Sequence, residues 1–231
     1  MVSSAVAIFG GIAPARAETV TDFGSLSILP GRTSMIYNQS PIVLPFTVTA
    51  PCESTDYGYG YISTSCHAVY VDLVHPSTPV SVDSALLFPE DDGTGSGSLS
   101  VYGFMLQGFG DHTLRATDSE TGRTTAAVVN IKALTRTQAS FIRSKKAPAQ
   151  ATLRITASLT YFDGYSFPKM SLKNPLVLQR NVGRTWVRMS TAYTTGGSAS
   201  WSFKVRSKAT YRVCHTADRQ STASCTSNLT T

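Results

Sequence analysis

Carboxylates all but vanish from the second half of this chain: of 14 Asp and Glu in 231 residues, only Asp163 and Asp218 lie beyond Leu134, against 15 Lys and Arg. The first 134 residues reverse the balance, with 12 acidic and 5 basic side chains. One intermixed domain is hard to reconcile with charges sorted by position, so the asymmetry favours two bodies or a basic face kept for a polyanion. Beyond the N-terminus no segment approaches the roughly 20 apolar residues that a bilayer-crossing helix needs. Glu and Lys are scarce while Ser, Thr, Val, Tyr and Gly abound. No sustained helical period remains outside the first residues, and the composition favours strands.

Other absences bear on chemistry. The sequence holds no G-x-S-x-G elbow and no H-E-x-x-H pair, which removes the common serine-hydrolase and zinc-protease signatures. None of the four cysteines forms a C-x-x-C pair, so a four-thiolate zinc knuckle is disfavoured. Cys52 and Cys66 enclose one short segment and Cys214 and Cys225 another. Near-neighbour pairing is the simplest of the three connectivities open to four cysteines, and each such bridge would stabilise by about 3 kcal/mol.

The N-terminal MVSSAVAIFGGIAPARAE has an apolar run from Ala5 to Ala13, followed by Ala15-Arg16-Ala17, a small-x-small cleavage pattern. Residues 1–17 are therefore expected to be a signal peptide and the mature chain to be secreted, extracellular or cell-wall associated. No Lys or Arg precedes the apolar run, which leaves room for a true start farther upstream.

What remains reads as strands. Ala199, Trp201, Phe203 and Val205 alternate with Ser200, Ser202, Lys204 and Arg206, one face apolar and the other wet. PLVLQRNVGRTWVRMSTAY reads as a hairpin turning at Asn181 to Arg184, with Gly183 free to take positive φ. In the first half PIVLPFTVTAP, HAVYVDLVHP, VSVDSALLF, SLSVYGFML, HTLRATD and TTAAVVNIKAL are strand candidates, with Glu90 to Ser98 expected as a loop. Two small-residue turns, GSGSLSVYGF and GGSASWSFKV, each open into an alternating strand, and each is followed by a Thr-x-Arg strand, Thr113-Leu114-Arg115 and Thr210-Tyr211-Arg212. The order repeats. A duplicated sandwich follows, with domains at 18–134 and 135–231 joined without a long Gly/Ser or Pro-rich linker.

Val177-Leu178-Gln179-Arg180, Gly183, Trp186, a Ser/Thr-rich segment, Gly197, Phe203 and Thr210-Tyr211-Arg212-Val213 carry a family likeness. From about Leu153 to Cys225 the chain resembles bacterial immunoglobulin-like domains, notably those of secreted actinobacterial proteins. The resemblance implies an antiparallel β-sandwich serving as a spacer, display or adhesion module with no catalytic residue; with the repeat, the expectation is an all-β chain of two tandem antiparallel immunoglobulin-like β-sandwiches without a cofactor. The antibody-type disulfide between sheets is not matched, because Cys214 and Cys225 both fall in the final hairpin region.

Candidate binding residues are few. Tyr57, Tyr59 and Tyr61 alternate with glycines and, if extended, would project three rings from one face of a disulfide-closed segment, suited to stacking on sugars or anchoring a protein. Arg180, Arg184 and Arg188 stand near a turn and at positions read as outward, where unbalanced charge would attract a polyanion. Cell-wall polymers, glycans or surface proteins are the expected partners; no nucleic-acid motif supports specific readout. Glu90, Asp91 and Asp92 form the best calcium candidate, although they lack the D-x-D-x-D-G spacing and a solvated turn is the plainer reading. His67 and His75, roughly 26 Å apart at about 3.3 Å per residue, cannot share a metal and read as exposed strand ends. The rival class is a secreted hydrolase working through Asp56, Asp91 or Asp92, which would need two carboxylates roughly 5 to 10 Å apart over one cleft.

Overall fold

The computed structural model describes residues 19–58, 60–75, 80–103, 106, 108–144, 151–170, 173–205 and 207–231. The expected signal segment lies outside them. The first eleven strands are β1 (Thr19–Phe23), β2 (Ser27–Pro30), β3 (Ser34–Tyr37), β4 (Ile42–Thr49), β5 (Cys52–Gly58), β6 (Tyr61–Cys66), β7 (Val69–Val74), β8 (Ser81–Leu87), β9 (Thr94–Val101), β10 (Gly110–Asp118) and β11 (Thr124–Ala133). After Leu134 come β12 (Thr135–Ser144), β13 (Ala151–Tyr161), β14 (Pro175–Val182), β15 (Thr185–Tyr193), β16 (Ser198–Val205), β17 (Thr210–His215), β18 (Ser224–Cys225) and β19 (Leu229–Thr230). No helix occurs among the described residues, and so none long and apolar enough to cross a membrane.

Alternation explains the layers. In β4, Ile42, Leu44, Phe46 and Val48 are buried while Val43, Pro45 and Thr47 are exposed, so one face of the strand closes a core and the other meets water. Sheet β2-β4-β9 packs in this way over sheet β3-β11-β10-β7-β8, and β1-β5-β6 forms a third sheet beside them. Leu153, Ile155 and Leu159 do the same for β13, where β12-β13-β16 covers β15-β14-β17-β18, with β19 also on β17. Two separate clusters of buried side chains result, one running from Ile28 to Ile131 and one from Ala151 to Leu229.

The strand order repeats across the chain. The orders β2-β4-β9 and β11-β10-β7-β8 recur as β12-β13-β16 and β18-β17-β14-β15. All these pairings are antiparallel; the parallel strand β3, added to β11, has no counterpart in the second set. The repeat inferred from the two Thr-x-Arg strands is thus a repeat of pairing.

The reading of residues 90–98 is corrected. Glu90 to Ser98 is not one loop, and GSGS is not a turn: β9 already begins at Thr94, and Gly97 lies where a side chain would strike Phe46 and Leu87. Gly97 leaves room for the Phe46 ring. TRTQASFIRS, which shows no clear period in sequence, is the ten-residue edge strand β12, paired along its length with β13. Finally, the segments at β1, β2 and β3 are strands too short to show a clear period in sequence.

Only Leu134 separates β11 from β12, and the two sets of sheets touch on both sides of it. On one side the amide of Ala133 donates to Gln220 O (2.8 Å) and that of Thr222 to Ala133 O (3.0 Å), while Asn130 Nδ2 donates to Arg219 O (3.0 Å). On the other, Phe162 packs on the first cluster with its ring 5.8 Å from that of Tyr37, and Phe109 meets Tyr161 edge-on at 5.8 Å. Gly103 makes the closest approach: a Cβ there would lie 2.1 Å from Asp163 O.

Candidate functional site

Both disulfides join direct cross-strand neighbours within one sheet. Cys52 pairs with Cys66 in β5-β6, and Cys214 with Cys225 in β17-β18, as the short separations predict. The first closes the base of a hairpin whose tip carries the tyrosines. Gly58 and Gly60 hold φ of 83° and 79°, and Asp56 Oδ1 accepts from Gly58 N at 2.7 Å, so the chain reverses there. That reversal corrects the extended row of rings. Tyr57 and Tyr61 instead face each other across the hairpin, ring centroids 5.6 Å apart and 49% and 66% exposed; Tyr59 lies outside the described residues.

The acidic turn is self-contained. Asp92 Oδ1 accepts from Thr94 N (2.8 Å) and Thr94 Oγ1 (2.7 Å), and these bonds hold its carboxyl below the usual carboxylate range. Among the described residues no three His, Cys, Asp or Glu side chains are grouped to hold a metal ion. The turn packs at the base of the hairpin, where a Cβ on Gly93 would lie 3.0 Å from Cys52 Sγ. Asp56 stands four residues beyond Cys52 along β5, toward the hairpin tip, whereas Asp91 and Asp92 belong to the turn at its base.

The histidines are more deeply engaged than expected: His67 and His75, read as exposed, are half-buried, and His112 and His215 are buried. His67 Nδ1 lies 3.0 Å from Asp118 and Nε2 3.3 Å from Glu120. The bond to Asp118 raises the imidazole's pKa above its ordinary 6.5 against the opposing effect of burial. Burial also opposes ionisation of Asp118, but bonds from Thr121 Oγ1, His67 and the amides of Glu120 and Thr121 overcome it and hold that carboxyl well below its usual range. The group clasps the β10-β11 turn. His112 is buried in the first core with its ring 5.1 Å from His75, and desolvation lowers its pKa.

His215, Ser221 and Asp218 meet in a constellation that resembles a hydrolytic triad only in composition. Ser221 Oγ donates to Asp218 Oδ1 (2.8 Å) and lies 2.7 Å from His215 Nε2, so the hydroxyl bridges the other two. Both Ser221 and His215 are fully buried. With its proton directed at Asp218 and no access to solvent, this serine is a clasp between β17 and the loop that binds Ala133.

The three candidate arginines do not share one face. Arg188 points outward from β15 and donates from Nη2 to Thr191 Oγ1 (2.7 Å), and Arg184 sits exposed at the hairpin tip beside Gly183, whose φ is 69° as expected. Arg180 corrects the outward reading: it shares the parity of Leu176 and Leu178, and its Nε is buried without a partner. The sequence pointed past the best-placed cation. Arg212 of β17 lies over the Trp186 ring at 4.3 Å and donates from Nε to Gln179 Oε1 at 2.7 Å, both on the outer face of β15-β14-β17. Its alternation with Tyr211 and Val213 was the available signal.

No family model and no curated protein sequence matches the chain. Among solved structures, a tetra-tandem repeat from the extending region of a large adhesion protein superposes with a TM-score of 0.51 over 92% of this chain, at 12% identity. The fold is immunoglobulin-like and all-β. This chain spans 49% of that one's length. The D0-D1 domain of intimin overlaps less, with TM-score 0.30 and 15% identity over 88% of this chain and 96% of that one. The human OSCAR ligand-binding domain gives 0.33 and 11% over 89% and 97%.

Proposed function

We propose that the chain is a non-catalytic extracellular module of a bacterial surface, of the secreted actinobacterial kind its second half resembles. In this reading a signal peptide at 1–17 precedes two immunoglobulin-like units, 18–134 and 135–231. They form a stiff spacer that presents recognition surfaces. The observation that carries the reading is the repeated strand order with a single residue between the repeats and bonded contacts on both sides of it. A spacer needs that stiffness and an enzyme of this size does not.

Further support comes from the likeness to an adhesion-protein repeat and from two disulfides, which suit an oxidising compartment. The place of Asp56 toward the hairpin tip, with Asp91 and Asp92 in the turn at its base, weighs against the hydrolase. Tyr57 and Tyr61 at the hairpin tip, with Ile62 61% exposed beside them, form one recognition surface. Arginines of the second unit form the other. The test is binding of the mature chain to cell-wall fractions across a salt series, with a panel of hydrolase substrates alongside. Retention on cell-wall material without turnover supports the reading; turnover without retention overturns it.

A further inference from the structure

Arg115 and Arg212 occupy equivalent places in the two sandwiches. Each stands on the strand corresponding to the other's, outward, opposite a residue of the neighbouring strand: Arg115 opposite Asp72 and Arg212 opposite Gln179. In the first sandwich the guanidinium is neutralised by a fork, Nε to Asp72 Oδ1 at 3.0 Å and Nη2 to Asp72 Oδ2 at 2.6 Å. In the second the same place holds a neutral amide. Gln179 accepts only from Nε, and Arg212's remaining contact is the Trp186 ring. The repeat has kept the cation and lost its carboxylate.

Among the described residues no ion pair replaces it. The second half's two carboxylates are committed to their own turns, Asp163 to the amides of Tyr165 and Ser166 and Asp218 to those of Gln220 and Ser221. Among the described residues the one ion pair made by a cation of that half is Arg219 with Asp111 of the other half. Arg188 lies opposite Gln179 on the far side, so Arg212 and Arg188 flank it about 10 Å apart at two strand spacings. Both are held by neutral partners and keep N–H groups for a ligand. Arg180, its Nε buried and unpartnered, adds charge beneath the same strand. Tyr193, with Lys173 Nζ 5.3 Å from its ring centroid, extends the face along β15.

We propose that the outer face of β15-β14-β17 binds a uronate-bearing polysaccharide, whose carboxylates take at Arg212 the place that Asp72 takes at Arg115. The ligand class follows from that equivalence, because a planar carboxylate is the group this fork receives in the sister sandwich. Trp186 and the half-exposed Tyr193 supply ring surface for the sugar, and the successive cations supply a track for a repeating acid. The inference rests on the surface-recognition reading above and assigns it a site and a ligand.

The test compares the mature chain with Gln179→Glu, binding polygalacturonate, neutral dextran and double-stranded DNA over a salt series. Gln179→Glu keeps the side chain's shape and installs the missing counter-charge, so the fold is expected to stand, with an unchanged or raised melting temperature. Polygalacturonate should bind and dextran should not, with affinity falling as salt rises and falling about tenfold in Gln179→Glu, the order of one charge-assisted hydrogen-bond pair. Arg212→Lys, which keeps charge but not the fork, should fall similarly. DNA binding as tight as polygalacturonate at every salt overturns the assignment. So does a self-associated chain that Gln179→Glu dissociates, since a second copy's acidic half would then be the occupant. Wild-type binding that survives in Gln179→Glu removes the site and leaves the recognition reading intact, whereas a wild-type chain retained by no cell-wall fraction removes the reading itself.

Discussion

Asp72 and Arg115 meet across β7 and β10 through two hydrogen bonds, with Asp72 buried to 3% of its side-chain surface and Arg115 still 45% exposed. The aspartate is therefore the member that needs its partner. Asp72→Asn turns an acceptor into a donor facing the guanidinium, and solvent at Arg115 softens the loss. The expected cost is about 1–2 kcal/mol, read from chemical denaturation.

Two histidines of the first sandwich should pull stability in opposite directions with pH. His67's pKa is raised in the folded state, so its contribution is whole below the unfolded value of 6.5 and is lost as pH climbs through the higher folded value. His112's is lowered by burial, so its contribution is whole above 6.5 and is lost as pH falls toward the folded value. Denaturation midpoints from pH 5 to 9 should then show His67→Gln closing on the wild type at alkaline pH. His112→Phe should flatten the acid limb.

The two disulfides should differ in reach. None of the core cluster residues comes from β5 or β6, so replacing Cys52 and Cys66 by serine should free the hairpin to exchange its amide protons while the sandwich melts nearly as before. Cys52 and Cys214 are both buried, but the second bridge ties the two-residue strand β18 to β17, which gives Tyr211 and Val213 to the second core. Replacing that pair should cost about 3 kcal/mol, measured against the first pair under the same conditions.

Much of the fold was legible wherever one face meets a core and the other meets water, as in β4, β13 and β16. Those strands declare themselves by period alone. Gly97 misled because glycine signals a turn until the Phe46 ring that needs the space is known. Short strands such as β2 and β3 carry too few residues for alternation to show, and Thr135 to Ser144 hid as a strand because its outer half faces solvent on both sides. The candidate site was legible in composition but not in detail: charge counting found the basic half, yet only the pairing of Arg212 with Gln179, set beside Arg115 with Asp72, says which cation lacks a counterpart. Arg180 was misplaced because one residue along a strand reverses the face.

Gly103 fixes how closely the two sandwiches approach. A Cβ 2.1 Å from Asp163 O meets backbone, which cannot swing aside, so Gly103→Ala should push the junction apart. The expected result is faster amide exchange at Ala133 and Phe162, whose N–H groups bond at the junction, with the buried strands β10 and β13 unaffected.

Stiffness at Leu134 is what the spacer reading requires, and the distance between spin labels at Ser84→Cys on β8 and Ser190→Cys on β15 measures it most directly, since both sites are exposed and lie in different sandwiches. The account predicts one narrow distance population that Gly103→Ala broadens. A broad distribution in the otherwise wild-type chain, as from two units tumbling about a hinge, would contradict it.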